Sequence, residues 1–469
     1  MDYIEKNTNT IAERDQAFDE SEELVFQLLD QHKYFECRDE LLSHDAVEIS
    51  ELLEDVMREY DMQRAVILFR TLPKDMAVDV FSRLDSDDQM GIIDIITDVE
   101  ITSIIRELDF DDKIDVLEEM PSNLVDKILE KTPKDERKQI NTFLMYKEDS
   151  AGSLMTPDYI NLRKDMKVRE ALDHIKSVGM NSETIYTCYV LGDGRTLIGI
   201  VSMRTLVTSD YDLSIGDIME EDVVFAHVND DQEEVADLFK RYGFIAIPVV
   251  DNEKRLVGII TVDDILDVME AETTEDIERM GGVIDGDDRD YLDMSVMQHV
   301  KSRLPWLAML MCSYFITGGI ISAFQGQLSK VISLVIYMPM LTGTGGNSGS
   351  QSSTLIIRGM ATGELETSDW FKVVWKELRV GTIVGFCVSL INVVRILFMD
   401  HNGIGVALTV SCSMVVIVII AKIAGAMLPM LAKRVGIDPA LIAGPMMSSL
   451  TDMVSLCIYF FMAKSFLGI

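Results

Sequence analysis

The chain has 469 residues, with 42 Lys plus Arg against 79 Asp plus Glu and a formal charge of −37. From Ser302 onward there are eleven basic and seven acidic side chains, a net of +4, so the preceding 301 residues carry −41. So acidic a front repels nucleic acid, whose binding rests on Lys and Arg neutralising phosphate, and it attracts cations; no nucleic-acid partner is expected.

Residues 1–20 are polar and are expected to form a disordered tail. They contain no basic n-region leading into an apolar stretch, so no cleavable signal peptide is expected and the front of the chain is placed in the cytoplasm. Residues 21–148 read as an acidic helical N domain. Leu72-Pro73, Met120-Pro121 and Thr132-Pro133 punctuate it, and apolar residues recur at helical spacing in Val78, Phe81 and Leu84 and again in Ile114 and Leu117. The pattern predicts an α-helical superhelix and not an enzyme core. Within it, Asp111, Asp112 and Asp115 crowd three carboxylates into five residues.

Residues 149–262 contain an internal repeat of about 60 residues. Ala151-Gly-Ser-Leu-Met-Thr-Pro157 opens one copy and Ile215-Gly-Asp-Ile-Met219 the next. The copies end in Leu197-Ile-Gly-Ile-Val-Ser-Met-Arg-Thr-Leu206 and Leu256-Val-Gly-Ile-Ile-Thr-Val-Asp-Asp-Ile265. Strands alternating with helices at this length predict two small α/β modules. These segments resemble a tandem pair of CBS domains, which implies a regulatory role and an adenine-nucleotide site. Thr261 and Asp264 match the Ser/Thr-x-x-Asp ribose-contact pattern of that family; the first copy has Ser202 and Thr205 there and departs from it.

Residues 263–301 read as an acidic linker, or plug, helix. Asp263, Asp267 and Glu270 are four and three residues apart, and Glu275 and Glu278 three apart, so like charges stack on a helical face. Each such pair destabilises an isolated helix by about 0.2–0.5 kcal/mol, a repulsion that a bound cation removes. Hard carboxylate oxygens suit Mg²⁺ or Ca²⁺ and not zinc. Cytosolic Mg²⁺ bridging these side chains to the Asp111–Asp115 cluster would favour a closed pore, and its loss would release it. A solvated acidic linker is the competing reading.

From residue 302 the chain reads as a membrane domain. Leu304–Phe324, Val380–Met399, Val406–Leu431 and Leu441–Phe461 are long and apolar enough to cross roughly 30 Å of hydrocarbon. Val331–Ile357 begins apolar and then runs through Leu341-Thr-Gly-Thr-Gly-Gly-Asn-Ser-Gly-Ser-Gln-Ser-Ser-Thr354. Counting it gives five spans and places Arg358, Lys372, Lys376, Arg379, Lys433 and Arg434 inside, as the positive-inside rule asks; the C-terminus is then outside. Asn347, Gln351 and Thr354 form one polar stripe on this span. Gly444, Ser448, Asp452 and Ser455 form another on the last. Asp452 is the most informative residue: a carboxylate at mid-span costs about 2.5–3.5 kcal/mol on insertion scales and is expected to face a wet path. Lys422 also lies deep in a span, and the sequence offers no partner for it. The six cysteines show no paired spacing, so neither disulfides nor a cysteine metal site is expected.

Taken together, the acidic helical head, paired repeats, acidic linker and five spans resemble the MgtE family of magnesium channels and transporters. The most specific stretches are Pro339–Thr354, Asp438-Pro-Ala-Leu441 and Ser449-Leu-Thr-Asp452. The resemblance implies a homodimer in the plasma membrane with Mg²⁺ as both substrate and regulator. Asp452 would be the central ion-binding carboxylate, Asp438 and Asp267 would occupy family positions, and Asn347, Gln351, Gly444 and Ser448 would line the pore. Alternative readings are transport of Co²⁺, Mn²⁺ or Ca²⁺, coupling to Na⁺, or a nucleotide-sensing, membrane-anchored CBS protein without flux. An intramembrane protease is not expected, because the spans hold neither a second catalytic carboxylate nor a His-Glu-x-x-His helix.

Overall fold

The computed structural model describes residues 2–284, 291–292, 294–400 and 403–468, so positions 285–290 and 293 of the expected linker lie outside the described residues. The chain forms two compact units, Met1–Met269 and Glu270–Ile469.

The first unit opens with ten helices: α1 (Asp2–Asp30), α2 (Tyr34–Leu41), α3 (Ala46–Glu59), α4 (Met62–Phe69), α5 (Lys74–Arg83), α6 (Ser86–Ile95), α7 (Asp98–Glu107), α8 (Phe110–Glu119), α9 (Ser122–Lys131) and α10 (Lys134–Phe143). Residues 2–20, expected to be disordered, belong instead to α1. Val25 and Leu29 are fully buried and anchor its second half, and a helix nucleated there extends cheaply toward the N-terminus. From α5 onward each helix has ten residues and a new one begins every twelve. Four of the five two-residue connectors join a buried apolar residue (Leu84, Ile96, Leu108, Met120) to one that starts a helix (Asp85, Thr97, Asp109, Pro121), and Leu72-Pro73 does the same at the end of the longer connector before α5. Helices pack on the next but one, α3 on α5, α4 on α6, α5 on α7 and α6 on α8, which winds them into a superhelix around Phe81, Ile92, Ile114 and Leu117.

The repeats follow as α11 (Ala151–Leu154), β1 (Tyr159–Arg163), α12 (Val168–Val178), β2 (Thr184–Leu191), β3 (Leu197–Ser202) and α13 (Met203–Thr208), then α14 (Ile215–Ile218), β4 (Ala226–His227), α15 (Gln232–Tyr242), β5 (Ala246–Val250) and β6 (Leu256–Thr261). Both copies build the same three-stranded sheet, with one parallel and one antiparallel pairing. Each copy's opening segment crosses the other copy's sheet. Thr156 exchanges backbone hydrogen bonds with Ile259, and Glu220 does so with Ile200. Gly258 and Gly199 permit this: a Cβ on Gly258 would come within 2.8 Å of the Thr156 carbonyl oxygen, and one on Gly199 within 2.9 Å of the Glu220 carbonyl oxygen.

α16 (Val262–Gly281) carries the chain from one unit into the other. The second unit continues with α17 (Val296–Ala323), α18 (Gln325–Leu328), α19 (Ser333–Ala361), α20 (Trp370–Phe398), α21 (Ile404–Val435) and α22 (Pro445–Leu467). Among the described residues four of these, α17, α20, α21 and α22, are long and apolar enough to cross a membrane, α20 being counted there from Thr367. The fifth long helix, α19, is a continuous 29 residues that hydropathy alone passes over because its middle, Thr342 to Thr354, is Gly, Ser, Asn, Gln and Thr. It packs on α21 and α22, and α21 also packs on α20. Tyr337, Leu341, Val410, Met414, Leu456 and Tyr459 form the core at one end.

α19 and α21 approach backbone to backbone where Gly349 lies against Gly425. A Gly425→Ala substitution drives a methyl into that backbone and is expected to destabilise the membrane unit by about 1–3 kcal/mol, the usual penalty of overpacking. A lowered thermal midpoint of the detergent-purified protein measures it.

Candidate functional site

Asp452 sits two turns into α22. Ser448 and Ser455, a turn before and after it, meet the glycines of α19: a Cβ on Gly346 would touch Ser448 Oγ at 3.3 Å, and one on Gly345 would reach Ser455 Oγ at 2.5 Å. Asp452 therefore lies on the side of α22 that faces α19. It is half-buried, and among the described residues no Lys, Arg or His pairs with it. Gly444, expected on the same helical stripe, is outside the helix. It precedes Pro445, has φ +57° and lies against the Met280 carbonyl oxygen. Proline is accepted at the first position of a helix, which fixes where α22 begins. On α19, Gly345, Gly346, Ser348, Gly349, Ser352 and Ser353 are buried while Asn347, Gln351 and Thr354 are exposed. The glycines thus serve packing, and the two amides and the threonine form an open polar stripe, stable within hydrocarbon only against protein or water.

Several other charges of this unit are already engaged. Asp438 accepts a 2.7 Å bond from Arg279 and a 2.8 Å bond from the Ala440 backbone N–H, capping the 3₁₀ turn Pro439–Ile442. Acting as a metal ligand would require Arg279 to leave. Glu275 also pairs with Arg279. Glu278 Oε2 is buried with no hydrogen-bond partner among the described residues, a poised acceptor at the end of α16. Lys422 is buried at 6% exposure and reaches Ser352 Oγ at 3.4 Å; that hydroxyl in turn donates to Glu377 at 2.6 Å.

In the first unit the start of α8 and the start of α16 share one acidic face. Burial, and then the charges of neighbouring carboxylates (Asp109 and Asp158 on Asp111, Asp111 and Asp109 on Asp112, Asp111 and Asp263 on Asp264), push Asp111 up to about 6, Asp112 to about 7 and Asp264 to about 7. Asp115 is raised to about 7 by the desolvation of its crowded surroundings and by the charges of Asp111, Asp112, Glu118 and Asp264. Glu183, which sequence reading missed, is raised to about 8 by burial and by Asp111, Asp109, Asp264 and Asp263. No local signal marks it: only the path from α12 into β2 brings it here. Asp267 and Glu270 are exposed on α16. Among the described residues no three His, Cys, Asp or Glu side chains converge closely enough to hold a metal ion. The carboxylates share a field that suits an ion keeping its waters, as Mg²⁺ tends to.

Thr261 and Asp264, expected at a ribose, hydrogen-bond each other at 2.7 Å at the start of α16 on this acidic face. An open cleft of about 750 Å³ lies instead in the first repeat, between Tyr159–Asp165, Leu191–Arg195 and Ser214. Arg163, Lys164 and Arg195 line it, and Arg195 donates to the Tyr159 hydroxyl at 2.6 Å. Arg163 and Lys164 pair with Asp165 and Glu221, and Asp193 also lines the cleft; the remaining excess of cations and the aromatic ring suit a phosphorylated, ring-bearing ligand.

A helical acidic head, a tandem α/β module and a bundle of long apolar helices around a carboxylate without a counter-ion among the described residues define a multi-span membrane protein of the ion-transporting class. The chain matches the MgtE divalent cation transporter family over residues 338–462, the MgtE intracellular N domain over 45–149 and CBS domains over 151–211 and 215–271. It is 38% identical over 405 residues to the magnesium transporter MgtE of Thermus thermophilus, covering 85% of this chain and 88% of that one. It is 32% identical over 426 residues to the magnesium transporter MgtE of Bacillus subtilis, covering 88% and 93%. The solved cytosolic domain of the Mg²⁺ channel MgtE in complex with ATP is 31% identical, with 52% of this chain and 98% of that chain covered and a TM-score of 0.49. The chain belongs to the MgtE family.

The raised carboxyls fix a sign for pH dependence. Asp and Glu ordinarily titrate near 4. Asp111, Asp112, Asp115, Asp264 and Glu183 titrate at about 6 to 8 when folded, so between these limits the folded protein holds more protons than the unfolded chain. Their contribution to stability is full below the ordinary range and is lost as pH rises through about 6 to 8. In EDTA the thermal midpoint of the first unit should fall between pH 5.5 and 8.5, and millimolar Mg²⁺ should flatten the decline.

Proposed function

We propose that the chain is a Mg²⁺-selective channel or transporter that takes Mg²⁺ up across the plasma membrane. The single observation that carries this reading is Asp452: a mid-helix carboxylate with no cationic partner among the described residues, bracketed by Ser448 and Ser455 against α19. A hydrated divalent cation supplies the missing positive charge. Serine and amide oxygens would then contact its water shell, and few direct ligands allow release as well as entry.

A second copy of the chain would cover the open stripe of Asn347, Gln351 and Thr354, so the pathway forms in a homodimer. The basic residues following α19 and ending α21 support a cytoplasmic N-terminus and an outside C-terminus. Cytosolic Mg²⁺ held by Asp111, Asp112, Asp115, Asp263, Asp264 and Glu183, with Glu275 and Glu278 acting at the far end of α16, would favour the closed state. Its binding must differ between open and closed states to shift them.

Asp452→Ala is expected to fold and to lose at least about 90% of Mg²⁺ uptake into proteoliposomes, because the central charge is gone. Uptake at the wild-type level would overturn the assignment, and larger uptake of Co²⁺, Mn²⁺ or Ca²⁺ by the wild type would reassign the substrate.

The basic cleft of the first repeat supports binding of an adenine nucleotide, with Arg163, Lys164 and Arg195 on the phosphates and Tyr159 beside the base. ATP should raise the thermal midpoint of the purified protein. Arg195→Ala should weaken that binding by about tenfold, the loss of one charge-assisted contact. An unchanged affinity would remove the nucleotide from this cleft.

A further inference from the structure

Lys422 and Glu377 are two ionic groups of the membrane unit that the proposed pathway leaves unused. They lie on different helices, α21 and α20, and a residue of a third helix joins them. Ser352 of α19 receives a bond from Lys422 Nζ at 3.4 Å and donates one to Glu377 Oε2 at 2.6 Å. Lys422 is almost fully buried, and its stem passes Gly381 of α20, where a Cβ would sit 3.6 Å from Lys422 Cδ. The brace is close to the pathway side of the bundle. Ser352 is one turn, about 4.5 Å of rise, beyond Gly349, and a Cβ on Gly349 would lie 3.1 Å from Thr451, the neighbour of Asp452. Fields of unpaired charges act over several ångströms in so apolar a medium, so any imbalance here is felt by an ion at Asp452.

We propose that Glu377 neutralises Lys422 through Ser352, and that this charge balance sets how tightly the pathway holds a divalent cation. The two are positioning residues: they fix α19 and tune the field without touching the ion. The inference rests on the cation-transport reading above. Loss of the Glu377 charge leaves a buried positive charge in the wall, which weakens cation binding. Loss of the Lys422 charge leaves a buried negative charge, which tightens binding and slows release. A purely mechanical brace would move both variants in the same direction.

The experiment compares Glu377→Gln, Lys422→Met and the double variant by Mg²⁺ uptake into proteoliposomes across a range of Mg²⁺ concentrations, with thermal stability of each purified protein. Glu377→Gln should raise the half-saturating Mg²⁺ concentration by about fivefold or more, Lys422→Met should lower it, and the double variant should return to within about twofold of wild type. Shifts of the same sign, no shift in either single variant, or a double variant as impaired as both singles combined would overturn the proposal. If a single variant fails to fold, recovery of folded protein in the double variant supports the charge balance and failure of the double overturns it. Wild-type flux in Asp452→Ala would sink the transport reading instead. The charge balance would then stand if the double variant were more stable than either single, and fall if it were not.

Discussion

Apolar surroundings tolerate a polar group only when protein or water answers it, and helix packing decides which groups are answered. In the membrane unit the deciding contact is the backbone approach of Gly349 to Gly425. It brings α19 against α21 and α22 closely enough for Ser352 to reach both Lys422 and Glu377, and it leaves Asn347, Gln351 and Thr354 on the open side. One glycine-lined face thus separates the polar groups that are satisfied inside the protein from those that require something further. Asp452 belongs to the second class: it lies at the packed face, half-buried, without a counter-ion among the described residues.

The first unit solves the opposite problem. Its carboxylates are close enough to raise one another's proton affinity, yet they do not converge as a direct coordination shell. Protonation at low pH and divalent cations at neutral pH both relieve the same repulsion, which makes stability of this face a function of its ionic surroundings. Its members come from the superhelix, the first repeat and the start of α16. Any change in that repulsion therefore acts on three parts of the fold at once.

Much of this was legible in the sequence because periodicity and duplication are local. The paired Leu-Ile-Gly-Ile and Leu-Val-Gly-Ile strands announced the two repeats, and the Gly-Ser-Asn-Gln run announced a helix that hydropathy rejects. The twelve-residue rhythm of α5 to α10 was present but hidden, since proline marks only some connectors and Asp or Thr does the same work in others. Gly444 was misplaced because spacing of four on paper continues through Pro445, where a real helix begins. Glu183 and the partner of Lys422 were out of reach. Their neighbours lie far away in the chain and are supplied by topology alone. Thr261 and Asp264 match a family pattern, and their mutual hydrogen bond at the start of α16, on the acidic face, is a contact that the pattern alone does not announce.

The two repeats also diverge where they end. After β3 the first copy continues Met-Arg-Thr and stops after the six residues of α13, whereas after β6 the second continues Val-Asp-Asp into the 20 residues of α16. One half of a duplicated module has therefore kept a stub where the other has grown an arm about 30 Å long. Such an arm amplifies. A tilt of only about 5° at its acidic root displaces its tip by ~3 Å over that length, comparable to the diameter of a water molecule. Ångström-scale motion at the tip thus requires only a small reorientation at the carboxylates.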